Sequence, residues 1–255
     1  MVAKWPLFLL PLAIGLCAAA RPAAPAPAIF KTPDYQACMG KIASKPDDAF
    51  EDALYWRAHG GGVSAEHCAA MALLAMNQPA QAALRLDAIA RNNDAGSLVN
   101  RAAMFDQAGN AWLLSGRGAN AETSFSAALR LTPRDADVWT DRARARAMIR
   151  NWAGAETDLT SALVFAKRAE TYVLRAGARR ALNRIKDARA DIDAALALEP
   201  RNTEALVERG SLKLIAGDKA GARADWLQVL LTAPDGPAGD EARRRIEDLE
   251  VHPDR

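Results

Sequence analysis

The sequence predicts an all-α protein built from repeated helix-turn-helix hairpins, and an internal repeat is the main evidence. Alanine recurs at positions 121, 155, 188 and 222, at intervals of 34, 33 and 34 residues. A bulky apolar residue follows each alanine after four positions, and another apolar residue follows after seven. Positions i, i+4 and i+7 share one face of a helix, so each copy contains an amphipathic helix. A large side chain sixteen positions before each alanine marks a second helix. Each copy is therefore expected to be a hairpin.

The repeated residues resemble the tetratricopeptide repeat. The match is closest between residues 102 and 133, where the pattern falls on Phe105, Gly109, Trp112, Gly116, Ala121, Phe125, Ala128 and Pro133. A weaker copy precedes this one, and Lys167 replaces the closing proline of a later copy. The resemblance covers five copies over residues 63–234. It implies a right-handed superhelical array whose first helices line a concave face that binds proteins.

The first twenty residues are interpreted as a signal peptide that is cut after Ala20. A short basic start precedes an apolar core at residues 5–16, and three alanines stand just before the cut. This core is shorter than the ~20 apolar residues needed to span a bilayer. A lipoprotein cut before Cys17 is disfavoured because the large residue Leu16 precedes it. We therefore expect a periplasmic or secreted protein with no membrane span in the mature chain.

An N-terminal helical hairpin at residues 34–62 is expected to follow a proline- and alanine-rich linker at residues 21–33. The first helix of this hairpin carries Cys38, and Cys68 lies on the first helix of the first repeat. Removal of the leader leaves these two of the three cysteines. Exported proteins meet an oxidising environment, so we expect a disulfide between them.

The alternative for these cysteines is a metal site formed by Cys38, His59, His67 and Cys68. Neighbouring residues on a helix point about 100° apart, which suits a metal shared by His67 and Cys68 poorly. A redox role would need a Cys-x-x-Cys motif, which the sequence lacks. We expect no metal and no cofactor.

The chain is expected to end in a capping helix and tail at residues 235–255. The predicted helix, residues 240–249, has charges on most faces and only Ala242, Ile246 and Leu249 to bury. A polar outer face is what the last member of a stacked array requires. Between the first and second repeats, the polar loop at residues 91–96 accommodates an insertion.

Arginine and aspartate occur together in three of the repeats. The pairs are Arg142 with Asp158, Arg175 with Asp191, and Arg209 with Asp225. One interpretation is a structural ion pair within a hairpin or between adjacent hairpins, because arginine offers a bidentate fork to a carboxylate. The other is a basic surface for an acidic ligand. The structural interpretation is favoured because each arginine comes with its own counterion.

The resemblance also implies which side chains line the concave groove. Eight polar residues are expected there: Asp106, Asn110, Thr140, Arg144, Glu170, Arg180, Glu204 and Ser211. Small and apolar residues occupy the slots between them: Leu113, Met148, Val173, Gly177, Val207 and Leu214. This mixture suits a peptide or helix of a protein partner.

No catalytic motif stands out: the sequence has no phosphate-binding glycine loop, no Gly-x-Ser-x-Gly and no His-Glu-x-x-His. The 33 basic and 31 acidic residues nearly balance, which argues against nucleic acid or an anionic membrane as a partner. We expect a non-catalytic scaffold that binds an envelope protein on its concave face. The alternatives are a structural subunit that uses convex or terminal surfaces, and an enzyme with a site near His59 and His67.

Overall fold

The protein is helical throughout residues 32–92 and 95–251, the ranges that the computed structural model describes. Its helices are α1 (Pro33–Ile42), α2 (Pro46–Trp56), α3 (Gly62–Ala75), α4 (Pro79–Arg91), α5 (Leu98–Leu114), α6 (Gly118–Leu131), α7 (Ala136–Met148), α8 (Trp152–Phe165), α9 (Ala169–Ala181), α10 (Ile185–Leu198), α11 (Thr203–Ile215), α12 (Lys219–Thr232) and α13 (Pro237–Val251). The signal peptide, Cys17, residues 21–31 of the linker and the tail after residue 251 lie outside these ranges.

Consecutive helices pack as antiparallel hairpins, and the expected repeats correspond to α3/α4, α5/α6, α7/α8, α9/α10 and α11/α12. The turn inside each of these hairpins has one residue in the left-handed region: Asn77, Gly116, Arg150, Asn183 or Gly217. The next backbone N–H donates to the carbonyl five residues before it, as Arg117 does to Trp112 at 2.9 Å. This cap satisfies carbonyl groups that the end of a helix leaves free. The all-α hairpin array predicted from the sequence is confirmed.

The N-terminal hairpin α1/α2 is more closely related to the repeats than the sequence pattern suggested. Ala49 and Ala53 on α2 are fully buried and stand 33 residues before Ala82 and Leu86, the matching residues of α4. A short π-helical turn, Arg57–Gly61, joins α2 to α3 and allows the hairpin to stack on the first repeat. At the other end, α13 packs on α12 and α11.

The array is asymmetric across its width. Some successive first helices pack against one another, namely α1 with α3, α5 with α7 and α9 with α11, whereas successive second helices in the described ranges make no comparable contact. Helices that approach more closely lie on the inner side of a curve. The first helices therefore form the inner, concave side of the array.

In the core of each hairpin, the residue on the first helix is small where the facing residue on the second helix is large. Gly109 faces the buried ring of Phe125, and Gly210 faces the buried ring of Trp226. The same slots in other copies combine alanine with an aliphatic residue, in the pairs Ala70 with Leu86, Ala143 with Leu159 and Ala176 with Ile192. A small residue on the first helix thus makes room for an aromatic ring on the second.

This packing predicts opposite effects for two glycine substitutions. A Cβ at Gly210 would lie 2.4 Å from Nε1 of Trp226, so we expect Gly210→Ala to destabilise the protein by about 1 to 3 kcal/mol through overpacking. A Cβ at Gly177 would meet nothing within 4 Å, so Gly177→Ala should stabilise by ~0.5–1 kcal/mol through its higher helix propensity. Urea denaturation of both variants measures the difference. Adding Trp226→Leu to Gly210→Ala should restore part of the lost stability, and no recovery would contradict the paired-volume account.

Candidate protein-binding face

A repeated ion pair joins the two helices of three hairpins. Arg142 on α7 donates from Nε and Nη2 to the carboxylate of Asp158 on α8, at 2.9 and 2.7 Å. Arg175 and Asp191 make the same bidentate contact between α9 and α10, at 3.0 and 2.7 Å. Between α11 and α12, Arg209 does so with Asp225, at 2.9 and 2.8 Å. All three contacts lie within a hairpin, and the aspartates are buried.

A second set of arginines, absent from the sequence interpretation, links adjacent hairpins. Arg146 binds Asp158 at 2.8 Å and also binds Glu122 of the preceding hairpin at 2.8 Å. Arg179 repeats this arrangement with Asp191 at 2.8 Å and Glu156 at 2.9 Å. The sequence signal was a second arginine four positions after the first, on the same helical face. The arginines named in the sequence are therefore one half of a larger structural network.

The network changes at α11/α12. Lys213 replaces the second arginine and binds Asp225 at 2.8 Å, while Arg189 occupies the slot that holds Glu156 in the preceding copy. Burial alone would raise the pKa of the Asp225 carboxyl, but hydrogen bonds from Arg209 and Lys213 outweigh it and lower the pKa. The side chain of Arg209 is 36% exposed, compared with 13% for Arg142 and Arg175. This pair is therefore more hydrated than the other two.

Ion pairs also connect successive first helices. Arg144 on α7 binds Asp141 on its own helix at 2.5 Å and Glu170 on α9. Arg180 on α9 binds Glu208 on α11 at 2.5 Å. Arg168, the residue before α9, binds Asp137 on α7. We call the surface of α5, α7, α9 and α11 on the side of these contacts the inner face.

The expected groove residues fall into three groups. Thr140 and Ser211 are buried, which corrects their predicted exposure: each hydroxyl donates to a carbonyl four residues earlier in its own helix, at 2.9 and 3.1 Å. Arg144 and Arg180 lie on the inner face but are held by carboxylates. The remaining four, Asp106, Asn110, Glu170 and Glu204, are partly or fully exposed.

The apolar and small residues expected in the groove also differ in exposure. Leu113 is buried, contrary to the expectation of an exposed slot, because it belongs to the core cluster around Trp112. Val173, Val207 and Leu214 are half-buried, while Met148 is exposed. Gly177 leaves open space beside its backbone. The inner face thus has an opening at the centre of α9.

A buried histidine on α3, His67, links α1 to α5 at the N-terminal end of the array. The hydroxyl of Tyr35 on α1 lies 3.0 Å from Nδ1 of His67 on α3, and Oε1 of Gln107 on α5 lies 2.9 Å from Nε2. An amide oxygen only accepts, so Nε2 donates and Nδ1 accepts from the tyrosine. Burial lowers the pKa of His67 despite the bond to Gln107, and burial raises the pKa of Tyr35 to about 12.

The structure contains the disulfide between Cys38 and Cys68, which joins α1 to α3 beside this histidine. His59, by contrast, lies on the exposed π-helical turn, where its ring stacks on Tyr55 and Nδ1 is 2.8 Å from the Tyr55 carbonyl. Among the described residues no group of histidine, cysteine or acidic side chains is arranged to hold a metal. No helix in the same ranges is both long and apolar enough to cross a bilayer.

Comparison with known proteins supports the repeat assignment. A family model described as "Tetratricopeptide repeat" matches residues 173–239. No curated protein matches the sequence. The structure of pilF from Pseudomonas aeruginosa superposes with a TM-score of 0.60 at 14% identity, over 83% of this chain and 96% of that one.

Two further structures show the same fold. MamA from Desulfovibrio magneticus RS-1 has a TM-score of 0.59 at 19% identity, over 67% of this chain and 94% of that one. A tetratricopeptide repeat protein from Parabacteroides merdae has a TM-score of 0.58 at 15% identity, over 82% and 83%. The hairpin matched by the family model recurs from α3 to α12. The chain therefore has the fold of tetratricopeptide-repeat arrays, and residues 173–239 match the family's own model.

Proposed function

We propose that the protein is a non-catalytic scaffold that binds a peptide segment or a helix of a cell-envelope protein on its inner face. Its fold indicates a protein-interaction role. The observation that carries the proposal is the preformed inner face, where Arg144 and Arg180 tie three successive first helices together. A surface that is already ordered loses little conformational entropy when a partner binds.

Two features support action outside the cytoplasm. The first twenty residues match the three-part pattern of a cleavable signal peptide. The pairing of Cys38 with Cys68 suits an oxidising compartment, because cytosolic thiols are kept reduced. N-terminal sequencing of the protein recovered from periplasmic extract should give Arg21 as the first residue. Retention of Met1 would contradict export by cleavage.

A structural-subunit role that uses convex or terminal surfaces is the second candidate. It is favoured by Val164 and Leu231 at the ends of α8 and α12, whose side chains are 76% and 79% exposed. An enzyme with a site near His59 and His67 has less support, because His67 is enclosed by Tyr35 and Gln107 while His59 faces solvent.

Site-specific photocrosslinking in cells distinguishes the first two candidates. A photoreactive phenylalanine analogue is placed at Gly177 or Asn110 on the inner face, and at Val164 or Leu231 as matched positions on second helices. We expect the inner-face positions to crosslink the same envelope protein, identified by mass spectrometry. Crosslinking of one partner only from Val164 or Leu231 would favour the structural subunit and overturn the inner-face proposal.

A further inference from the structure

Carboxylates outnumber arginines on the inner side of α7, α9 and α11. On α7, α9 and α11, the arginines and the lysine that do not face inwards bind aspartates of second helices: Arg142, Arg146, Arg175, Arg179, Arg209 and Lys213. The inner face keeps three arginines, Arg144, Arg168 and Arg180, all of them bound to carboxylates. The helices α7, α9 and α11 carry five carboxylates, of which Asp141 is buried: Asp137, Asp141, Glu170, Glu204 and Glu208.

Two consequences follow for a ligand. No inner-face arginine of α7 to α11 is available for an acidic ligand without breaking a contact between hairpins. Glu204, in contrast, is exposed in the first turn of α11, and among the described residues its carboxylate has one hydrogen-bond partner, the hydroxyl of Thr203. A ligand with positive charge can pair with Glu204 without displacing an arginine, whereas an acidic ligand has to compete with Glu170 and Glu208 for Arg144 and Arg180.

A row of apolar residues stands at the C-terminal ends of the first helices. Leu114, Met148 and Ile215 end the first helices α5, α7 and α11, with exposures of 58%, 36% and 55%, and Ala181 holds the same place on α9. These four residues recur at intervals of 34, 33 and 34, which is the repeat period. Each apolar residue of α7, α9 and α11 follows an acidic residue by eleven positions, as Ile215 follows Glu204.

The spacing of the acidic and apolar rows defines the size of a partner. Eleven residues of helix rise ~16 Å, while a helix with its side chains is ~10–12 Å wide. A single helix lying across the first helices therefore fits between the two rows.

The next inference rests on the proposed inner-face function: we propose that the partner segment is a basic amphipathic helix. Its cationic side faces the carboxylates at the N-terminal ends of α7, α9 and α11, including Glu204. Its apolar side covers the row formed by Leu114, Met148, Ala181 and Ile215.

Binding of two synthetic probes tests this proposal. The first is an 18-residue peptide of leucine and lysine in an amphipathic helical pattern, and the second has glutamate in place of every lysine. Fluorescence anisotropy with the oxidised protein measures both. We expect the lysine peptide to bind, with an affinity that falls as salt is raised, and the glutamate peptide to bind at least about tenfold more weakly. Stronger binding of the glutamate peptide, through loop cations such as Arg134 and Arg201, would overturn the proposal.

Four variants locate the site. Glu204→Lys and the double variant Leu114→Ser, Ile215→Ser should each weaken the lysine peptide by about tenfold. Their controls, Glu51→Lys on α2 and Leu231→Ser on α12, change exposed residues of second helices and should leave binding unchanged. Equal losses in the controls, or no binding of either peptide, would overturn the basic-helix assignment. Crosslinking of a partner at Gly177 would still stand in that case, so the two proposals fail separately.

Discussion

Asp191→Ala should be among the most destabilising substitutions in the protein, with a loss of about 3 to 5 kcal/mol. Asp191 is 3% exposed and its carboxylate accepts hydrogen bonds from both Arg175 and Arg179, so its removal leaves two largely buried guanidinium groups short of a partner. Arg175→Ala should cost less, about 1 to 3 kcal/mol, because Arg179 still binds the aspartate. Urea denaturation followed by circular dichroism measures both losses.

A double-mutant cycle and a matched site test the cause. Arg175→Leu combined with Asp191→Ala should recover part of the loss, since the buried charge and its partner leave together. Asp225→Ala should cost less than Asp191→Ala, because its partner Arg209 is more exposed. Strict additivity in the cycle, or equal costs at the two aspartates, would contradict the ion-pair account.

Loss of the disulfide is expected to have the second large effect. Cys38 and Cys68 are 30 positions apart, and the chain-entropy model gives a stabilisation of about 3 to 4 kcal/mol for a loop of that length. The Cys38→Ala, Cys68→Ala variant should therefore unfold at lower urea concentration than the oxidised protein. Hydrogen exchange should show the largest loss of protection in α1, because the bond anchors that helix to α3.

A reducing agent supplies the control for this prediction. It should destabilise the wild-type protein to about the level of the double variant and leave the variant itself unchanged. Full protection of α1 in the reduced protein would show that packing of Tyr35 and Ala53 holds the hairpin without the covalent bond.

The hairpins could be predicted because repetition multiplies a weak signal. A single alanine followed by a bulky residue says little, but the recurrence at 121, 155, 188 and 222 identified α6, α8, α10 and α12. The same reasoning would have related the N-terminal hairpin to the repeats, since Ala49 precedes Ala82 by 33 residues. Its short first helix and the glycines that follow α2 hid that relation.

The groove was harder to predict because a slot in a repeat does not specify what surrounds it. Thr140 and Ser211 occupy slots that the family exposes, but neighbouring helices cover them and their hydroxyls bond to their own backbone. Arg144 and Arg180 looked available as single residues. Their counterions, Glu170 and Glu208, come from the next hairpin, so only the stacking of hairpins reveals the pairing.

This pairing changes how the inner face has to be tested. Reversal of Arg144 or Arg180 to glutamate would place like charges between first helices, so a loss of binding would report on the array as well as on contact with a partner. A test of binding alone needs a residue that the array does not use. Gly177 meets this condition because its side-chain position is open.

The most direct test of the inner face is the affinity of Gly177→Trp for the envelope protein crosslinked from that surface. Ala190→Trp, at an exposed position on α10 of the same hairpin, is the matched control. We expect Gly177→Trp to weaken binding by at least about tenfold through steric exclusion, with unchanged helicity, while Ala190→Trp binds like the wild-type protein. Undiminished binding by Gly177→Trp, together with a loss in Ala190→Trp, would contradict the assignment of the inner face as the binding surface.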